Sequence, residues 1–294
     1  MPEVSAQRRP ALDPIALARR LLAGAGVEDA RLDAEVLMAE AAGVARADVL
    51  AGLIRLSPET LARFDAMIAR RMRREPVAYI VGHKEFYSLD FEVSPAVLIP
   101  RPETETIVAT ALKSIAERAE ARVLDIGTGS GAIAISIAAN ARHAQVLATD
   151  ISADALAIAK RNAVRHQVQD RVTQRLADCF AMLDDGAPLA RFDLIVSNPP
   201  YVDDAEIARL APEVRSFEPH VALSAGRDGL DFYRRIAAGA RSHLVREGGL
   251  MVEVGAGQAR AVSEIFAAHA LRVVSVIDDL AGHQRVVHAR MTPV

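Results

Sequence analysis

Cysteine is almost missing from this sequence: Cys179 is the only one in 294 residues. That excludes an internal disulfide and any multi-cysteine zinc site, and it fits a reducing cytoplasm. Histidine is sparse too. The eight histidines are scattered, with no His-x-x-x-His pair and no Cys/His cluster, so no metal is expected. Positive charge is not in excess either. A formal net charge of −3 and an aromatic content of 4% argue against a nucleic-acid substrate. No uninterrupted apolar run approaches the roughly 18 residues of a spanning helix. The opening "MPEVSAQRRPALDP" has no apolar h-region, so an untargeted cytoplasmic protein without a membrane partner is expected. Internal repeats, low-complexity tracts, a Ser/Cys-His-acid arrangement and a carboxylate pair placed for hydrolysis are all lacking.

What is present is a globular balance of 51% apolar and 25% charged residues, at a length ordinary for two domains. Residues 1–75 read as a small helical domain. "IALARRLLAGAG" places Ile15, Leu17, Leu21 and Leu22 near one face, and Ser57-Pro58-Glu59 is a helix start with proline at the first position. Arg70, Arg71, Arg73 and Arg74 read as a solvated helix end whose charge suits a C-terminus, with a partner-docking patch as the alternative. Residues 76–100 form a linker in which "PVAYIVGHKEFYSLDFEVS" reads as a β-hairpin. A helix is expected to begin near Glu103.

Residues 101–294 form the third part, and from Ala121 the rhythm alternates. "ARVLDIG", "QVLATD", "RVTQRLAD", "RFDLIVS", "LMVEVG", "LRVVSVIDD" and "HQRVVHARM" read as strands. Helical stretches lie between most of them, among them "GLDFYRRIAAGARSHLVREGG". The fold class is therefore α/β, a mostly parallel sheet with helices on both faces.

"LDIGTGSGAIA" follows a strand and opens a helix, where backbone N–H groups and the helix dipole favour an anionic group. Gly127, Gly129 and Gly131 leave no Cβ to obstruct a ligand lying on the main chain. Asp150, ending the next strand, offers acceptors to ribose hydroxyls. This loop implies a nucleotide-like cofactor without choosing between hydride and methyl transfer, because Gly127-x-Gly129-x-x-Ala132 also satisfies the dinucleotide fingerprint.

The choice comes from "IVSNPPY", at the carboxyl end of the fourth strand of the sheet, where open α/β sheets hold their ligands. An amide or exocyclic amine nitrogen has a delocalised lone pair and is a poor nucleophile until its hydrogens are held. Asn198 supplies a side-chain carbonyl, Pro199 a main-chain carbonyl, and Pro199 and Pro200 stiffen the loop. Tyr201 offers an aromatic face to a planar group and a nearby sulfonium. Hydride transfer uses none of these parts.

"VLDIGTGSGAIAI", "ATDIS" and "IVSNPPY" resemble the class I S-adenosylmethionine-dependent methyltransferases that act on planar nitrogens. "IPRPETE", "FEPHVALSAGRDGLDFY" and "EVGAGQ" extend the likeness through nearly the whole chain to the release factor glutamine methyltransferases, the HemK/PrmC branch. The resemblance implies a Rossmann-like methyltransferase domain with a seven-stranded sheet. It also implies methylation of the glutamine amide, at N5, in the Gly-Gly-Gln tripeptide of class I peptide chain release factors. S-adenosylmethionine would be the cofactor and S-adenosylhomocysteine its product. On this resemblance Gly127, Thr128, Gly129, Ser130 and Gly131 would line the methionine part and Asp150 would bind the ribose. Asp178 and Cys179 would lie along the adenine. Cys179 stands where the family pattern has an aromatic residue, and Phe180 follows it, so only a backbone contact carries over there. Asn198, Pro199, Pro200 and Tyr201 would hold the glutamine amide, with Asn198 also near the cofactor.

Arg101, Glu103 and Glu105 are either a helix start or a group over the cofactor's methionine end. The rival functions are a ribosomal protein glutamine methyltransferase, a nucleic-acid amine methyltransferase, a non-catalytic cofactor-binding module and an NAD-dependent oxidoreductase. "IPRPETE" disfavours the first, net charge the second and an intact "NPPY" the third, and the fourth survives on the glycine loop alone.

Overall fold

The computed structural model describes residues 13–181 and 191–292. Residues 1–12 and 293–294, which open and close the predicted three-part division, lie outside them. The chain forms two compact units, one reaching Val81 and the other beginning at Gly82.

The first unit is helical: α1 (Pro14–Gly24), α2 (Ala30–Ala42), α3 (Arg46–Leu50), α4 (Pro58–Met72) and α5 (Val77–Val81). Asp13 Oδ1 accepts from the Ile15 N–H at the start of α1, and Ser57 Oγ accepts from the Thr60 N–H at the start of α4. Ala18 and Leu22 form the buried face of α1, with Ile15 packed partly against the same core. Leu17 and Leu21 are 42% and 41% exposed, which corrects the face expected for them. Each precedes a buried residue by one position, about 100° around the helix.

Of the arginines ending α4 only Arg73 is exposed, and the other three are drawn into contacts. Arg71 is buried and pairs with Asp33 of α2 at 2.7 Å. Arg70 binds Glu75 and donates to the Tyr79 and Ile80 carbonyls, and Arg74 donates to the Gly26 carbonyl at 2.7 Å. The run "VAYIV", expected to open a hairpin, is helical instead. Tyr79 and Ile80 bury their side chains and donate their N–H groups to the Pro76 carbonyl, so packing overrides the β-propensity of the run.

The hairpin proper is β1 (His83–Phe86) and β2 (Leu89–Glu92), whose Phe86 and Phe91 enter a core of the second unit. A 3₁₀ turn over Pro102–Thr104 leads into α6 (Glu105–Ile115). Next come β3 (Ala121–Ile126), α7 (Ala132–Asn140), β4 (Ala144–Asp150), α8 (Ala153–Arg165), β5 (Val172–Leu176) and β6 (Phe192–Ser197). Then α9 (Pro212–Phe217), α10 (Asp231–His243), β7 (Leu244–Glu253), α11 (Ala259–Ala268), β8 (Leu271–Asp278) and β9 (Gln284–Met291) complete the described chain.

The seven strands of the larger sheet are ordered β5-β4-β3-β6-β7-β9-β8. Pairs from β5 through β7 are parallel, and β9 runs antiparallel to both its neighbours. Side chains of α6, α7 and the hairpin form one core with the sheet, and those of α10 and α11 form another. The stretch expected as helix through Gly249 is helical only to His243. Fully buried Leu244 pairs with Phe192, and the register then jumps so that Gly249 faces Leu194, with Glu247 at φ 64° in between. A longer helix would pull Leu244 out of the sheet. Among the described residues no helix is long and apolar enough to cross a membrane.

Candidate active site

The chain builds β3, β4 and β5 outward in one direction and then returns to place β6 on the other side of β3. Strand order reverses between β3 and β6, and a crevice opens beyond their carboxyl ends. Register aligns the two loops: Ile126 is level with Ser197, so Gly127 and Asn198 leave the sheet side by side. Ser197 Oγ donates to the Ile126 carbonyl at 2.7 Å, tying the strand ends together.

The glycine loop is fixed from beneath. Gly127 and Thr128 donate their N–H groups to the Thr149 carbonyl, and the Thr128 hydroxyl donates to Asp125 Oδ2 at 2.6 Å. Burial pushes the Asp125 carboxyl up to about 7. The Gly129 N–H donates to Asp150 Oδ2 and the Ser152 N–H to Asp150 Oδ1, each at 2.9 Å. Burial raises the Asp150 pKa while these N–H groups oppose the rise.

The glycines divide their work. Gly127 and Gly129, at φ 72° and 56°, would carry a Cβ into space with no atom within 4 Å, so their bare main chain forms the cleft wall. A Cβ on Gly131 would meet Ile135 Cδ1 at 2.7 Å and Ala159 Cβ at 3.3 Å, so this residue lets α7 pack against α8. Ser130 is buried, and its carbonyl accepts from Asn162 of α8, which also bonds the main chain of Glu92 in β2. Asn162 was not expected from the sequence, because nothing local marks it as more than a helix residue.

The structure brings Gly127 to Ser130, Asp150, Asp178, Cys179 and Asn198 to Pro200 to one cleft. Two of the expected residues are not on its wall. Gly131 lies behind the loop, and the Tyr201 ring packs in the second core, where a Cβ on Gly255 would come within 3.0 Å of it. Gln258 Nε2 donates to the Tyr201 carbonyl at 2.9 Å, and Gln258 Oε1 accepts from the Gly255 N–H and the Tyr233 hydroxyl. That amide belongs to "EVGAGQ", the signal that marked the segment without revealing its job. Burial raises the Tyr201 pKa.

Past Asp150, Cys179 sits at φ 53° with its side chain buried, and burial raises its thiol pKa. Phe180 turns away from the cleft and stacks on His243, ring centroids 4.6 Å apart. Phe232 and Ile151 line the wall instead. Arg235 lies over the Phe232 ring and pairs with Asp178 at 2.6 Å.

The "IPRPETE" side chains separate by role. Arg101 pairs with buried Glu218 at 2.5 Å, and Glu218 Oε2 also accepts from the Ile99 N–H. Glu105 Oε1 accepts from the Tyr87 N–H and so closes the hairpin turn. Thr104, which sequence reasoning passed over, lines the cleft and accepts a hydrogen bond from Asn198 Nδ2 at 3.1 Å. The amide nitrogen of Asn198 is therefore engaged away from its oxygen. Among the described residues, no group of three or more His, Cys, Asp or Glu side chains could hold a metal ion.

Residues 14–82 match the family described as the PrmC N-terminal domain, and residues 106–213 match the methyltransferase small domain. The chain is 45% identical over 282 residues to the release factor glutamine methyltransferase of Cereibacter sphaeroides, covering 96% of this chain and 98% of that protein. It is 46% identical over 274 residues to the protein of the same name from Geobacter sulfurreducens, covering 93% and 94%. Among solved structures, the hMettl16 catalytic domain in complex with MAT2A 3′UTR hairpin 6 aligns at a TM-score of 0.58 and 16% identity. That alignment covers 82% of this chain and 84% of the other, and the likeness is one of fold.

Proposed function

Because this chain belongs to the release factor glutamine methyltransferase family, we propose that it methylates the side-chain amide nitrogen, N5, of the glutamine in the Gly-Gly-Gln tripeptide of class I peptide chain release factors, with S-adenosylmethionine as donor. It is a methyltransferase enzyme, and its larger unit has the Rossmann-like class I fold expected from the sequence. The observation that carries the finer reading is Asn198. Its nitrogen is spent on Thr104, so its oxygen is the end left to accept from a substrate amide, next to a carbonyl on a proline-stiffened loop.

The residues present fit the cofactor. Gly127 and Gly129 keep the wall clear for a ligand lying along the main chain. The Asp150 carboxylate accepts from the Gly129 and Ser152 N–H groups and retains lone-pair capacity for a ribose hydroxyl. Asp178, Cys179 and Phe232 would flank the base. When bound, S-adenosylmethionine supplies an electrophilic methyl group.

The chain's own contribution is orientation. Asn198 Oδ1 and the Pro199 carbonyl accept the two N–H bonds of the glutamine amide and so fix its plane. Pro199 and Pro200 keep these acceptors in place before the substrate arrives, which removes reorganisation from the reaction. No strong base is needed before attack, because the nitrogen becomes acidic only as it gains the methyl group. Tyr201 anchors the loop through its partly buried ring and its carbonyl.

The helical unit is assigned the recognition of the rest of the factor, since a tripeptide is too small to select one protein. The test is mass spectrometry of unmethylated release factor incubated with this protein and S-adenosylmethionine. Gain of one methyl group, absent when the glutamine of Gly-Gly-Gln is changed to alanine, is the expected result. A gain that survives that change would sink the assignment.

A further inference from the structure

Three segments meet behind Asn198. Val252 of β7 is level with Ser197 of β6, so Glu253 ends its strand alongside Asn198. Thr104 lies between them: its Oγ1 accepts from Asn198 Nδ2 at 3.1 Å, and the Glu253 carboxyl lies beside its side chain. Thr104 and Glu253 are 4% and 2% exposed, and Glu253 Oε2 has no partner among the described residues. The charged and titratable groups facing Glu253 are Arg285 on β9, Arg101 and Glu103 ahead of α6, Tyr201 after β6 and Tyr233 on α10. None of this is needed for a glycine loop to hold a cofactor.

We propose that Glu253 and Thr104 are positioning residues that determine which end of the Asn198 amide faces the cleft; the kinetic part of this inference rests on the function proposed above. A threonine hydroxyl has one proton to give. Ionised Glu253 is an acceptor only, so Thr104 must donate to it and can present only lone pairs to Asn198. The amide must then meet Thr104 with its NH2, which turns its carbonyl toward the substrate. Protonated Glu253 can donate to Thr104, whose own proton is then free to bind the amide oxygen. The constraint on Asn198 is lost. Burial, opposed by Thr104 and Arg285, pushes Glu253 up to about 7, so both states are reached near neutral pH.

The test uses the full chain with nitrogen-labelled asparagine, the Asn198 side-chain resonance being assigned by its loss in Asn198→Ala. That resonance is expected to shift with a midpoint near neutrality in the wild type, and to lose the shift in Glu253→Gln and in Thr104→Val. No movement in the wild type, or equal movement in Thr104→Val, overturns the relay. In turnover, Thr104→Val should lower kcat about tenfold, with KM for the release factor and affinity for S-adenosylhomocysteine within about twofold. Thr104→Ser should restore most of the rate, and Thr104→Val should cost nothing further in an Asn198→Ala background. Additive losses in that pair, or no rescue by serine, also overturn it. If the wild type left the release factor unmethylated, the proposed function would fall, and the resonance shifts would still decide the relay.

Discussion

At the scale of single residues, the site depends on which atoms are already committed. Asn198 gives its nitrogen to Thr104 and keeps its oxygen, so truncating it removes an acceptor and leaves the cofactor wall standing. Asn198→Ala is expected to lower kcat about 10²-fold while S-adenosylhomocysteine still binds by calorimetry. Near-normal turnover would remove Asn198 from the mechanism. His288 makes a prediction about stability. It is buried on β9, Nε2 has no partner among the described residues, and burial followed by repulsion from Arg290 lowers its pKa to about 4. The unfolded chain takes up this proton near the ordinary value of about 6.5, so the native state loses stability as pH falls from there toward 4. Asp125 and Glu253, both pushed up to about 7, act in the opposite sense, favouring the native state as pH falls below that value. Comparing wild type with His288→Asn isolates the histidine. In thermal melts at pH 7 and pH 5, the change in melting temperature on acidification should be less favourable for the wild type than for the variant.

At the scale of elements, the glycine loop joins two jobs that one substitution each can separate. Gly129 has φ 56° and open space where a Cβ would stand. Gly129→Ala should cost about 1 kcal/mol of backbone strain and chiefly weaken S-adenosylhomocysteine binding, because the methyl enters the cleft. Gly131→Ala forces a Cβ onto Ile135 and Ala159. It should lower the melting temperature first, by about 1–3 kcal/mol of overpacking between α7 and α8. Paired calorimetry and melting curves check this, and the reverse ranking would exchange the two roles. The α4 C-terminus shows how an element acquires its environment from outside itself. Its arginines look like a basic surface, yet Arg71 neutralises a buried aspartate on another helix. Such a pair is costly to break because the surviving charge is left buried.

At the scale of the whole molecule, strand order does the assembling. The glycine loop and the Asn-Pro-Pro loop are about seventy residues apart in sequence and become neighbours because β6 returns beside β3. β7 then sets Glu253 next to the same point. The helical unit carries a different prediction, since it would supply effective concentration rather than chemistry. Deleting residues 1–75 should raise KM for whole release factor more than for a short Gly-Gly-Gln peptide, measured by methyl incorporation. Equal effects on both substrates would make that unit scaffolding alone.

Local information was enough for much of this protein. The alternation of strand and helix, the glycines after β3, the acid closing β4 and "IVSNPPY" were all legible, because strand pattern, turn chemistry and cofactor loops are written in contiguous residues. The sequence also carried the methyl-transfer reading, through residue types suited to holding a planar nitrogen. Tertiary structure decided what depends on residues distant in the chain. It buried Arg71, folded "VAYIV" as helix, ended α10 at His243 and turned Phe180 and Tyr201 into the core. It also gave Thr104, Asn162 and Gln258 their partners, because a hydrogen bond forms where two chain segments meet in space, and no spacing along one segment records the other.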